Sequence, residues 1–143
     1  MLTTITEIYD NEKIILDTQI LIWSLEDNVN LKLHIKSILE DVNNTILVSA
    51  ISLMEMSIKL KLGKLPKFII TIEEITEQFQ VDDFELLSIQ PKHIFEYQSI
   101  PFYDDHRDPF DRFLLATALS EQIPIISADD KFPRYHPLIN IIN

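Results

Sequence analysis

Short apolar runs that alternate with helically spaced segments constrain this chain more than any other feature of its sequence. Ile14-Ile15-Leu16, Ile46-Leu47-Val48 and Ile125-Ile126 are too brief to be buried helices and are bounded by polar residues. Between them, apolar residues recur every three or four positions. Read in full, the order is β–α–α–β–α–α–β–α–α–β–α–β. Strands apolar on both faces and alternating with helices imply an α/β fold with three layers. A mostly parallel, about five-stranded sheet is covered by helices on each side.

The segments follow from local signals. Residues 13–17 form the first strand and 18–25 a helix; Leu31, Ile35, Ile38 and Leu39 give a second helix its apolar face. Thr45 to Ala50 is the second strand. Ser52 then starts a helix with Leu53, Met56 and Leu60 on one face. It ends at Gly63, the only glycine, with Pro66 just beyond. Residues 71–80 are helical, Phe84 to Ile89 is a strand, and Pro91 opens a helix through Gln98. Asp108 as N-cap and Pro109 at N1 start a helix running to about Gln122. Ile123 to Ala128 is a strand, Asp130 to Tyr135 a short helical turn, and Leu138 to Ile142 the last strand.

Four carboxylates fall at the junctions of these elements. Asp17 ends the first apolar run and Asp129 follows the run ending at Ala128, while Glu55 and Asp111 each lie three residues into a helix. In parallel α/β sheets, ligands gather beyond the carboxyl ends of the strands. Acids at strand ends and helix starts therefore converge on one edge, and converged carboxylates call for a hard divalent cation.

Each acid also has a local explanation. Ser52-x-x-Glu55 matches a capping box, and Glu55 pairs with Lys59 at i,i+4. Asp111 at N3 suits the helix dipole, and Asp17 and Asp129 suit capping. Taken jointly, four acids at one edge repel one another and raise each other's pKa unless a cation lies between them. A cation explains all four at once.

The net charge of −11 is unusual for a binder of polyanions. The cations are nonetheless unevenly placed. All three arginines, Arg107, Arg112 and Arg134, lie close in sequence to Asp108, Asp111 and Asp129, and Lys59, Lys61, Lys64 and Lys67 follow Glu55. A basic rim around an acidic centre is the expected arrangement. Absence of cysteine excludes disulfides and thiolate metal sites, and a single glycine excludes phosphate-binding glycine loops and nucleophile elbows. No apolar run approaches the ~18 residues of a membrane helix, and no signal-peptide pattern opens the chain, so the expected compartment is the cytoplasm with no membrane partner.

With these acids in place, the chain resembles the PIN-domain family, and within it the VapC-type toxins of type II toxin–antitoxin pairs. The segments that carry the resemblance are Leu16-Asp17-Thr18 with Leu21-Ile22-Trp23, Val48-Ser49-Ala50 leading to Met54-Glu55, and Ile58 to Leu65. They continue with His106-Arg107-Asp108-Pro109-Phe110-Asp111-Arg112 and Ser127-Ala128-Asp129 with Phe132. It spans 13–143 and leaves 1–12 as an N-terminal extension. Gln19 stands where relatives often have His or Asn, and Ser127 where Thr is commoner.

The resemblance implies a PIN-like sheet of order 3-2-1-4-5 and an Mg²⁺- or Mn²⁺-dependent endoribonuclease. It also implies a homodimer and inhibition by a cognate antitoxin. Asp17, Glu55, Asp111 and Asp129 would be the catalytic and metal-binding acids, with Asp108 an auxiliary fifth. Thr18 and Ser127 would be hydroxyl neighbours, and Lys59, Arg107 and Arg112 would steady the RNA backbone. Metal-activated water is the expected nucleophile. The alternative is a PIN-like RNA- or protein-binding module without activity. A phosphoryl-transfer domain with an aspartyl nucleophile is disfavoured, since no second Asp lies two residues after Asp17 and Thr45–Ala50 carries no acid.

Overall fold

A computed structural model describes residues 12–143. The N-terminal extension expected at 1–12 therefore lies, but for Glu12, outside the described residues. Among these described residues five strands form one sheet: β1 (Lys13–Leu16), β2 (Thr45–Ser49), β3 (Phe84–Leu87), β4 (Ile125–Ile126) and β5 (Ile141–Ile142). Its order is β3-β2-β1-β4-β5, and every pairing is parallel. This is the order the family resemblance implied.

Six α-helices of the described residues cover it: α1 (Thr18–Glu26), α2 (Leu33–Glu40), α3 (Ala50–Lys61), α4 (Ile72–Val81), α5 (Pro91–Glu96) and α6 (Pro109–Glu121). Short 3₁₀ turns occupy Tyr97–Ser99 and Phe132–Tyr135. The period-2 alternation of the strands divides the core into two halves. Ile14, Leu16, Ile46 and Val48 pack with α1 to α4 through Leu21, Ile38, Met56, Ile75 and Phe79. Ile15, Leu47 and Ile125 face the other way, onto Leu114, Leu115 and Ala118 of α6 and onto Phe132 and Tyr135.

Several boundaries differ from the sequence reading. The strands β4 and β5 keep only two residues each of the five or six expected, because they pair only with β1 and with each other near the sheet's edge. Leu31 lies before α2 yet still packs against the core. Gly63, with φ of 69°, closes α3 at C′ as expected. No helix among the described residues is long and apolar enough to cross a membrane.

Candidate active site

The carboxyl ends of β1, β2 and β4 and the starts of α1 and α6 meet at one edge of the sheet. Asp17 leaves β1 and caps α1, accepting from the Ile20 N–H through Oδ1 at 3.0 Å. Its Oδ2 accepts from the Ser127 hydroxyl at 2.5 Å. The residue is only 4% exposed. Burial pushes its carboxyl up, against the downward pull of Ser127 and of the Ile20 and Gln19 N–H groups, and the charge of Asp129 adds to the rise.

Asp108 and Pro109 start α6 as the sequence predicts. Asp108 Oδ1 accepts from the N–H groups of Phe110 at 2.8 Å and Asp111 at 3.2 Å. That cap places Asp111 at N3, facing the other acids. Burial, followed by the charges of Asp108, Asp17, Glu55 and Asp129, pushes the Asp111 carboxyl up to about 7.

Glu55 arrives differently from expectation. The helix α3 begins at Ala50 with Ser49 as its N-cap, accepting from the Ile51 N–H at 3.1 Å, so Ser52 is no cap and Glu55 lies in the second turn. The Ser52–Glu55 capping box is thereby corrected. The strand runs straight into the helix, and Ser52 is instead buried, accepting a hydrogen bond from Thr18 Oγ1 at 3.0 Å that ties α3 to α1. One oxygen of Glu55, Oε2, lies 3.2 Å from Lys59 Nζ. The other, Oε1, is buried without any hydrogen-bond partner among the described residues.

Asp129 completes the group from the turn after β4. Its N–H donates to Ser127 Oγ at 3.0 Å, and its Oδ1 accepts from the Lys131 N–H at 2.8 Å. Ser127 is thus a buried bridge between Asp129 and Asp17.

A cleft of about 660 Å³ gathers Asp17, Thr18, Glu55, Lys59, Asp108, Asp111 and Asp129, together with Gln19, Trp23, Ala128, Asp130 and Lys131. All five proposed metal-binding acids are therefore brought together, with Thr18 and Lys59 in the wall and Ser127 beneath. A larger groove of about 830 Å³ lies at the opposite edge, by the starts of β2 and β3, and holds none of these residues.

The two arginines are not in the cleft wall. Arg112, 5% exposed, donates to Tyr97 Oη at 3.3 Å, Pro101 O at 2.8 Å and Ile100 O at 3.1 Å, with its guanidinium 5.1 Å from the Tyr97 ring centre. Consecutive helix residues point about 100° apart, so a helix that aims Asp111 at the acids aims Arg112 elsewhere. The expected phosphate contact of Arg112 is corrected to a clamp on the 97–101 segment. Arg107 is exposed, bonded to Asp104 and stacked 5.4 Å from the Phe102 ring centre.

Two further residues matter at this site and lie outside the acidic pattern. Lys131 supplies, with Lys59, the cationic part of the cleft wall. His106 is buried, with Nε2 3.3 Å from Asp111 Oδ2. Its sequence signal was its place in the charged segment beside Asp108, at the head of the His106-to-Arg112 string.

The donor set fits a hard divalent cation. Six carboxylates face two lysines in one cleft, a buried Glu55 oxygen has no hydrogen-bond partner among the described residues, and burial together with the acidic neighbours pushes Asp111 up to about 7. All the carboxylate ligands are oxygen donors, as Mg²⁺ and Mn²⁺ prefer. A ligand atom from each of His106, Asp111 and Asp129 lies within 4.8 Å of the others.

Comparison with known proteins agrees with this fold. Residues 14–136 match the family model described as PIN domain. No curated protein sequence matches the chain. Among similar solved structures is VapBC2 from Rickettsia felis bound to a DNA fragment from its promoter, with TM-score 0.66, 18% identity, and 92% of this chain and 98% of that chain covered. DNA-bound VapBC from Salmonella typhimurium superposes with TM-score 0.66 at 19% identity, covering 92% and 97%. VapBC-5 from Mycobacterium tuberculosis gives 0.61 at 15% identity, covering 92% and 98%. At these identities the likeness is one of fold.

Proposed function

The chain belongs to the PIN-domain family, and on that footing we propose that it is a VapC-type endoribonuclease, the toxin of a toxin–antitoxin pair. The observation that carries this reading is the buried Glu55 Oε1, without a hydrogen-bond partner among the described residues, in a cleft where burial and the charges of four neighbouring carboxylates push Asp111 up to about 7. A fold gains nothing from such crowding unless a cation relieves it.

Asp17, Glu55, Asp111 and Asp129 would hold Mg²⁺ or Mn²⁺, with Asp108 beside them. When bound, the cation lowers the pKa of water and stabilises charge on the phosphodiester oxygens. The chain's own residues supply the rest. Ser127 holds Asp17, and the Asp108 cap holds Asp111 toward the cleft. Lys59 and Lys131 steady the phosphates flanking the scissile bond, while Thr18 anchors α1 to α3 through Ser52. Arg107, exposed next to Asp108, serves phosphates further along the strand. With six acids against two lysines, the cleft repels RNA until cation binding offsets its charge.

An antitoxin is the fitting inhibitor, since a partner guanidinium inserted among these carboxylates would block both cation and substrate. The similar structures are themselves complexes of the VapBC type, which supports such a partner here. A homodimer and a cytoplasmic setting belong to the same reading.

The decisive experiment maps RNA cleavage by the wild type and Asp17→Ala side by side, with Mg²⁺ or Mn²⁺ and after chelation. Cation-dependent cuts lost in the variant are expected. Cleavage by Asp17→Ala at the wild-type rate would overturn the assignment and leave a non-catalytic binding module.

A further inference from the structure

His106 lies in a tight turn, Tyr103–His106, closed by its N–H to the Tyr103 carbonyl at 3.0 Å. Its ring packs 5.5 Å, centre to centre, from both Phe132 and Tyr135. Both ring nitrogens are engaged: Nε2 with Asp111 Oδ2 at 3.3 Å and Nδ1 with Tyr135 Oη at 2.6 Å.

A neutral imidazole has one donor and one acceptor nitrogen. An ionised Asp111, as cation binding requires, only accepts, so Nε2 must carry the proton. The acceptor Nδ1 then takes the Tyr135 O–H. For a neutral ring, the chain Tyr135 O–H to Nδ1, Nε2–H to Asp111 Oδ2 is the one assignment that leaves no two lone pairs facing each other. It occupies Asp111 Oδ2, while Oδ1 has no hydrogen-bond partner among the described residues.

The turn carrying His106 is itself anchored. Asp105 accepts from Arg134 at 2.6 and 3.2 Å, its carbonyl accepts from Lys131 Nζ at 2.6 Å, and Tyr103 packs edge-on to Tyr135 at 5.4 Å. A histidine that merely filled the core would need no contact with a carboxylate of the cleft, yet Nε2 meets Asp111.

We propose that His106 is a positioning residue for Asp111, held in its Nε2–H tautomer by Tyr135, so that Asp111 presents Oδ1 to the cation. This rests on the reading of the cleft as a cation site. Hydrogen-bond partners that orient metal ligands contribute about 10–100-fold in metal affinity. His106 does not itself ligate Mg²⁺, which takes oxygen donors.

The test is Mn²⁺ binding by calorimetry for the wild type, Asp17→Ala, His106→Leu, His106→Gln and Tyr135→Phe, with ¹⁵N NMR of the imidazole in Mg²⁺-loaded protein. Expected are about 10–100-fold weaker binding for His106→Leu and substantial recovery in His106→Gln, whose amide can still donate to Asp111. The wild-type ring should show protonated Nε2 and bare Nδ1, and Tyr135→Phe, which keeps the ring packing, should lose that single tautomer. Wild-type affinity in His106→Leu overturns the positioning role. So does a bare Nε2 in the loaded wild type, which would make His106 a ligand. If the wild type and Asp17→Ala bind Mn²⁺ alike, the cation site itself fails, and the proposal with it.

Discussion

The Ser127 hydroxyl donates to Asp17 Oδ2 at 2.5 Å across 110 residues of sequence, joining the end of β1 to the turn after β4. The same oxygen, Ser127 Oγ, accepts from the Asp129 N–H. One small side chain thus sets the spacing of two acids and pulls the Asp17 pKa down against the rise that burial imposes.

Ser127→Ala is expected to leave Asp17 without its strongest donor and the Asp129 N–H without its acceptor. Hydrogen bonds to charged groups contribute about 1.5–3 kcal/mol. Urea unfolding at pH 7 should register a loss of that order, and RNA cleavage should fall by about tenfold or more, given how steeply rate depends on ligand placement. Ser127→Thr keeps the hydroxyl and should retain activity.

Cation binding should stabilise the fold by relieving carboxylate repulsion. Thermal melting after chelation is expected to shift upward on adding millimolar Mg²⁺ or Mn²⁺. Asp111→Asn, which removes one charge from the crowd, should melt higher than the wild type without metal and respond less to it. Superimposable melting curves with and without metal would argue against the site.

The pH dependence of the metal-free protein carries a definite sign. Asp111 is raised from 3.8 to about 7, so the folded state holds its proton more tightly than the unfolded chain. Its contribution to stability is complete below pH 3.8 and is lost as pH rises through about 7. His106, whose ring is held below its ordinary value by burial, acts oppositely below about 6.5, so the comparison must be made against Asp111→Asn. The difference in unfolding free energy between the two proteins should change between pH 4 and 7 and level off above. Cation binding at pH 7 should release protons, read by calorimetry in buffers of different ionisation enthalpy.

Arginine and lysine substitutions should separate structure from substrate contact. Arg112→Ala removes the donors to the Pro101 carbonyl and to the buried Ile100 carbonyl, and an unsatisfied buried group costs about 1–3 kcal/mol. A large loss of stability is expected, with KM for RNA unchanged at a temperature where the variant is folded. Lys59→Ala and Lys131→Ala should raise KM and flatten its salt dependence, with a stability loss of about 1 kcal/mol or less from the lost Glu55 pair and Asp105 carbonyl bond.

Much of this was legible without coordinates because the signals were local. The caps of α1 and α6, the C′ role of Gly63 and the burial of the short apolar runs depend on neighbours within a few residues, and the structure has them. Where two residues satisfied the same local rule, the sequence could not choose. Ser49 and Ser52 are both sound N-caps, and the end of β2 selected the first. Arg107 and Arg112 lie near the acids in sequence, but helix rotation and a bed of carbonyls turned Arg112 away.

What the sequence determined by itself was the layered α/β architecture and the set of carboxylates, since both follow from periodicity and from residue type at element ends. What only the tertiary structure decided was the company those carboxylates keep. Ser127 on Asp17, His106 and Tyr135 behind Asp111, and Lys131 in place of Arg112 are pairings over separations that no local pattern encodes. They arise because parallel strands carry distant segments to one sheet edge, where burial makes every unpaired donor and acceptor costly enough to select its partner.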